Sequence, residues 1–415
     1  RTGITTSMYT EEFDTTYNYA LQDDTWIITQ SLPQFQIVGL RDKIKELNQL
    51  AIAKSIQELG LNLTVDAVVD AMVLDFRDRF EKARNGYETY PLIFTPNTLQ
   101  KTNDHKRIAK VGGVDFSYDV IYYEWMNRLS YQGKNAFSFV REKRIEILGQ
   151  GTSHQRPDFA VYINGIPILF IEYKTEESGL KEAIADLENK STYRKVPFYV
   201  ATNGHECAVI CNIEQFNMKD DTGANAYLWK ATKSTPDIAE PTDVECFYHE
   251  VLCQPEHLYF YITQVTSLDH IRQIVKNGRV QQYQAVKNFH RHLEATRRLQ
   301  QRTPANLAVF HTQRSGKTMT MKFMAQLVLN HYNDVFEYIF IYAPDLQIKK
   351  ILVDEIKAAG NQSLVQIDTI GGDSSLTFEH ALKQMHANAK KAAGGVKRIF
   401  IVNMQQLKIA SGKPF

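Results

Sequence analysis

The sequence predicts an α/β protein of two successive domains, on three observations. An apolar hairpin spans residues 159–173, with a strand-like segment before it and a helix and two strands after it. A strand–loop–helix pattern around Lys317 has the spacing of a phosphate-binding loop. Between them, residues 218–243 shift to K-D-D-T-G-A-N and K-S-T-P-D-I-A-E-P-T-D, the composition of a linker. The expected division is residues 1–255, with a core at about 116–215 after a helical part, then residues 256–415.

The whole chain sets outer bounds. Its 415 residues are enough for about two or three cores, and 43% hydrophobic with 23% charged residues is ordinary for a globular protein. No apolar run approaches a membrane span, and residues 1–10 do not read as a signal peptide. A soluble cytoplasmic protein with no membrane partner is expected. The net charge of +1 lends nucleic-acid binding no global support, so any such contact must come from local patches. Cys207, Cys211, Cys246 and Cys253 lack the tight C-x-x-C pairs of zinc sites and read as core or surface thiols.

Residues 42–59 have amphipathic helical spacing, with Ile44, Leu47, Leu50, Ala51 and Ile56 on or near one face. Thr64 is placed to cap a second helix running to about residue 82. The basic stretch 101–110 reads as a loop. Residues 118–129 read as a helix carrying Trp125, with Glu124 a weak candidate for an accessory acid. In 136–147, Phe137, Phe139, Ile145 and Ile147 alternate as in a strand. Past Lys174 come a helix at 178–190 and strands at 196–202 and 206–213, turned at Asn203-Gly204.

The hairpin is where chemistry is expected. Asp158, Glu172 and Lys174 interrupt a run otherwise apolar on both faces, and buried charge is costly unless paired or ligated. Glu172 and Lys174 are two apart and share a face. A two-residue Asn164-Gly165 turn in unbroken register would set Asp158 opposite residue 171, on the wrong face. A three-residue loop or a bulge sets it opposite Glu172, close enough for two carboxylates to share a cation. Two carboxylates and an ammonium suit Mg²⁺ and phosphodiester hydrolysis. The plainer alternative is a structural ion pair at a strand end.

The pattern R-P-D-(x)5-N-G-x-P-(x)4-E-Y-K resembles the nuclease site of the R subunits of type I restriction enzymes. That resemblance implies a restriction-endonuclease-like PD-(D/E)xK fold and makes Asp158, Glu172 and the main-chain carbonyl of Tyr173 metal ligands. Lys174 becomes the catalytic lysine. The family continues with a Gln-x-x-x-Tyr pair, where this chain has Asp186 and Lys190.

The second part follows from residue 271. Leu307 to Phe310 are expected to form a strand, residues 311–315 a loop and Lys317 onward a helix. Backbone N–H groups at such a helix start cradle phosphate, with Lys317 on the β/γ-phosphates and Thr318 on Mg²⁺. The residues expected to touch ATP are His311, Thr312, Gln313, Arg314, Ser315, Gly316, Lys317 and Thr318. His311 stands where the general pattern has its first Gly, yet His-Thr-Gln there resembles the same R subunits; Arg314 stands where they have Gly. Arg279, Gln282 and Tyr283 resemble the adenine-reading motif of superfamily 2 helicases, with Gln282 as the reader. Residues 335–342 and 397–402 are expected as buried strands. Asp354-Glu355 imitates a Walker B end, but the spacing of Leu346, Ile351, Leu352 and Ile356 is helical. The resemblance implies a RecA-like helicase lobe, truncated before its true D-E-x-H acid and without the second lobe.

Together these imply an ATP-driven double-stranded DNA translocase and Mg²⁺-dependent endonuclease, working with modification (methyltransferase) and specificity subunits. Two alternatives stay open: a different helicase–nuclease, or a nucleotide-dependent DNA-binding module with an inactive nuclease face.

Overall fold

The structure, a computed structural model, describes residues 39–94, 107–122, 135–141, 157–175, 177–189, 195–203, 206–211, 226–230, 251, 255–269, 273–298, 307–309, 316–332, 336, 338–343, 346–358, 365–370 and 397–403, and the strands 4–6, 17–22 and 25–28. The chain divides into two compact units. Arg1–Thr95, Asp104–Thr263 and Ile274–Val280 form the first; Pro96–Asn103, Gln264–Gln273 and Gln281–Phe415 form the second.

The first unit opens with an antiparallel sheet of β1 (Ile4–Thr6), β2 (Tyr17–Gln22) and β3 (Thr25–Ile28). Helices α1 (Leu40–Glu58), α2 (Val65–Lys82) and α3 (Gly86–Ile93) follow. Thr64 caps α2 by accepting the Ala67 N–H at 3.2 Å. The buried stripe of α1 is Leu40, Ile44, Asn48 and Ile52, whereas Leu50 is 84% exposed. Relative to the face expected through Ile44, Leu47, Leu50, Ala51 and Ile56, the buried stripe is rotated to take in the polar Asn48. Asn48 is buried because its amide is satisfied on both sides: Nδ2 donates to Asp119 O at 2.8 Å, and Asp119 N–H donates to Oδ1 at 2.9 Å.

Residues 108–110, expected as part of a loop, are strand instead. Ile108–Val111 (β4) and Val114–Ser117 (β5) form a hairpin across Gly112-Gly113, with Ala109 and Phe116 buried. No helix starts at 118–122, because side chains take the backbone groups a helix would use. Arg107 Nε donates to Tyr118 O at 3.0 Å, and Asn135 bonds both the N–H and the C=O of Tyr122. Trp125 and Glu124 lie outside the described residues.

The main sheet has six strands: β6 (Phe137–Arg141), β7 (Phe159–Ile163), β8 (Ile166–Tyr173), β9 (Phe198–Thr202), β10 (Glu206–Ile210) and β11 (Ala226–Lys230). Their spatial order is β11-β10-β9-β8-β7-β6. Every pairing is antiparallel except β8–β9, and parallel neighbours require a crossover. Helix α4 (Gly179–Asn189) is that crossover. Its Leu180, Ala183, Ile184 and Leu187 recur at helical spacing and pack on Ala160, Tyr162, Phe170, Tyr199 and Ala201 of the sheet. Each large aliphatic side chain buried there contributes about 1.5–3 kcal/mol before entropy is counted. Cys207 and Cys211 are buried, and burial pushes both thiols up. Helix α5 (Pro255–Gln264) and the short strands β12 (Thr266–Asp269) and β13 (Ile274–Asn277) come next in the chain.

The second unit contains α6 (Val280–Arg298), α7 (Lys317–His331), β14 (Tyr338–Ala343), α8 (Leu346–Ala358), β15 (Val365–Ile370) and β16 (Lys397–Asn403). Strands β14, β15 and β16 are parallel in the order β14-β16-β15, around a core of Leu329, Ile341, Ala343, Leu352, Val353, Ile399 and Ile401. Asp354 and Glu355 lie inside α8, as their helical spacing indicates. The strand expected at Leu307 to Phe310 is not formed at 307–309, where Leu307 and Val309 are 43% and 42% exposed. Three apolar residues alone do not make a strand without a neighbour to pair with.

One turn residue ties the hairpin to its surroundings. Asn164 is fully buried with φ 53°. Its Oδ1 accepts the Ala136 N–H at 2.8 Å, and its Nδ2 lies 2.9 Å from both Val120 O and Asn135 Oδ1. Asn164→Ala leaves buried groups unpaired at a positive φ and is expected to cost about 3–5 kcal/mol. Asn164→Gly relieves only the backbone part, about 1 kcal/mol. Urea denaturation of both variants measures this, and equal stability to the parent would refute it.

Candidate active site

The turn between β7 and β8 has two residues, because Ile163 pairs with Ile166. Asn164 and Gly165 carry φ of 53° and 78°, the positive values a type I′ turn needs at both central positions. Carried unbroken along the hairpin, that register would set Asp158 opposite Ile171. It is broken between Val161 and Tyr162. Tyr162 pairs with Pro167 but Val161 pairs with Leu169, leaving Ile168 as the extra residue of a bulge. Beyond it Phe159 pairs with Ile171, and the next position outward sets Asp158 against Glu172.

The bulge therefore decides the face. Ala160, Tyr162 and Phe170 face α4, and alternation puts Asp158, Glu172 and Lys174 on that same side. Asp158 Oδ2 accepts the Tyr173 N–H at 2.7 Å, which fixes one carboxylate oxygen and leaves the other for a ligand. Glu172 is 2% exposed and stands in register with Ala201 of β9. The Lys174 N–H donates to Thr202 O at 2.9 Å, so the backbone stays in place past the end of β8.

Two acids of α4 reach the lysine. Lys174 Nζ lies 2.6 Å from Asp186 Oδ2 and 3.9 Å from Glu182 Oε1. The Asp186 hydrogen bond foremost, with the charges of Asp186, Glu182 and Glu172, holds the Lys174 ammonium above the usual lysine range against the opposing effect of burial. Asp186 drew notice in the sequence only as a departure from Gln, and Glu182 drew none. Their i,i+4 spacing on a helix following E-x-K is the signal that could have found the pair. Among the described residues, no three or more His, Cys, Asp or Glu are grouped to hold a metal ion. The Asp158–Glu172 pair instead suits Mg²⁺, which takes one or two carboxylates and keeps waters.

In the second unit, Gly316 caps α7 with φ 82°, and the exposed Lys317 and half-buried Thr318 begin the helix. Gln282, 2% exposed on α6, donates from Nε2 to the Gly316 carbonyl at 2.9 Å. Part of its amide is thus committed to the loop that would hold phosphate. His311, Thr312, Gln313, Arg314 and Ser315 lie outside the described residues. No helix among the described residues is long and apolar enough to cross a membrane.

Residues 39–217 match the family described as the type I restriction enzyme R protein N terminus. That region is similar to an R-protein N terminus. A protein of Methanocaldococcus jannaschii, named as the endonuclease subunit of a type I restriction enzyme, MjaVIIIP, is 27% identical over 246 residues. The match covers 55% of this chain and 22% of that relative, so the chain spans about a fifth of its length. The matched region takes in α1 to α4 and β4 to β10, and with them Asp158, Glu172, Lys174 and Asp186. Residues 311–318, expected to bind phosphate, lie outside it.

Gly316 supplies a test that needs no ligand. A Cβ there would stand 2.3 Å from Gln282 Nε2, at a φ that side chains avoid. Gly316→Ala is expected to cost about 2–4 kcal/mol, and in a Gln282→Ala background only the backbone share of about 1–2 kcal/mol. Thermal unfolding of the four proteins measures the difference; strict additivity would show that the contact is absent.

Proposed function

We propose that the first unit is a restriction-endonuclease-like PD-(D/E)xK nuclease that cuts double-stranded DNA as part of a type I restriction enzyme. The observation that carries this reading is the Ile168 bulge, which turns Asp158 onto the face of Glu172 and Lys174 and has no other evident use in the hairpin. Asp158 and Glu172 would hold Mg²⁺, with the Tyr173 carbonyl as a third ligand. Mg²⁺ bound there would polarise the scissile phosphate and lower the pKa of a coordinated water. Asp158 is kept in place by the Tyr173 N–H, and Glu172 by its position within β8 beside β9. Lys174 brings a positive charge to offset the negative charge gathering on the phosphate under attack, and donates N–H groups that can orient water.

The second unit is read as a RecA-like motor lobe. Gly316, Lys317 and Thr318 would begin a phosphate-binding helix whose first turn Gln282 braces, and ATP is the nucleotide it would hold. Modification and specificity subunits would choose the DNA site. One alternative, a DNA-binding module with an inactive nuclease face, is favoured by Asp186 and Lys190 standing where the R subunits have Gln and Tyr.

Nicking of supercoiled plasmid in Mg²⁺ or Mn²⁺, with ATP and the partner subunits present, tests this. Glu172→Gln and Asp158→Asn are each expected to lower the rate at least about 100-fold while leaving the unfolding temperature within about 3 °C. Variants that nick as fast as the parent would place the cleavage elsewhere.

A further inference from the structure

We propose that Asp186 is the positioning residue for Lys174, aiming its ammonium at the phosphate held by the Asp158–Glu172 face; the inference rests on the nuclease reading above. A lysine at a strand end has a long flexible stem and no fixed direction of its own. Here one carboxylate fixes it, with Nζ 2.6 Å from Asp186 Oδ2, a short charge-assisted contact. Glu182, one turn earlier, stands 3.9 Å away and acts through charge alone.

Asp186 can do this because its helix is anchored. Ile184 and Leu187 on either side are buried against Tyr162, Phe170 and Tyr199, so the sheet that positions Glu172 also positions the carboxylate. An ammonium has three N–H donors. At this distance Asp186 engages one and leaves others for a phosphate oxygen or a water. Lys174 and Asp186 are 25% and 36% exposed, and a pair so open to solvent adds little to stability. Its role is therefore geometric, and removing Asp186 should leave the fold intact.

The test uses the full chain with its partner subunits. In plasmid nicking, Asp186→Asn should lower kcat about 10–100-fold with the half-saturating Mg²⁺ concentration unchanged, and Asp186→Glu should recover part of the loss. In a Lys174→Ala background Asp186→Asn should cause no further loss, because its effect passes through the lysine. NMR relaxation of isotope-labelled lysine side chains, with no metal or DNA, should show Lys174 ordered in the parent and mobile in Asp186→Asn. A nicking parent with an equally active Asp186→Asn, or a Lys174 equally mobile in both, overturns this inference and leaves the nuclease reading standing. A parent that fails to nick under any of these conditions, like Glu172→Gln, overturns both.

Discussion

The candidate site depends on a one-residue offset between the two ends of the β7–β8 hairpin. At the turn the strands pair as an ideal two-residue hairpin, with a buried Asn and a Gly supplying the positive φ values. At the far end they pair one residue out of that phase. Because side chains alternate strictly, the offset exchanges the faces of everything beyond it. Asp158, Tyr173 and Glu172 then form a compact unit in which backbone and carboxylate brace each other. The candidate site is held by β8, the strand flanked by β7 and β9, with α4 packed over it.

The helix does two things at once. It closes the parallel step from β8 to β9, and its polar edge brings Asp186 and Glu182 to the lysine that follows the strand. Packing and electrostatics are coupled here through ordinary helical geometry: buried residues at 180, 183, 184 and 187 leave 182 and 186 beside the end of the sheet. In the second unit a similar economy operates at Gly316, where a buried amide on α6 occupies the space a side chain would need.

Much of this was legible in the sequence. The hairpin, the helix after it, the cap at Thr64 and the helical nature of the Asp354-Glu355 segment all follow from spacing and turn chemistry. The need for a bulge or an odd loop was legible too, but the choice between them was not. Asn-Gly favours the two-residue turn locally, and long-range bonds from Asn164 to Val120, Asn135 and Ala136 reinforce it. Other misses share that cause. Asn48 and Arg107 are polar residues made into core by distant partners, and the segment 118–122 loses its helix to side chains that claim its backbone. Of the strand expected at Leu307 to Phe310, residues 307–309 are not strand, and Phe310 lies outside the described residues.

The bulge makes the hairpin a device sensitive to frame. A three-residue turn with regular strands and a two-residue turn with one extra residue in β8 are geometric synonyms, since both deliver the acids to one face. Either route tolerates many substitutions along the strands. What neither tolerates is a residue gained or lost in one strand without a matching change in the turn or the bulge. The face is assembled by that match, so the chain can vary its letters there far more freely than its spacing.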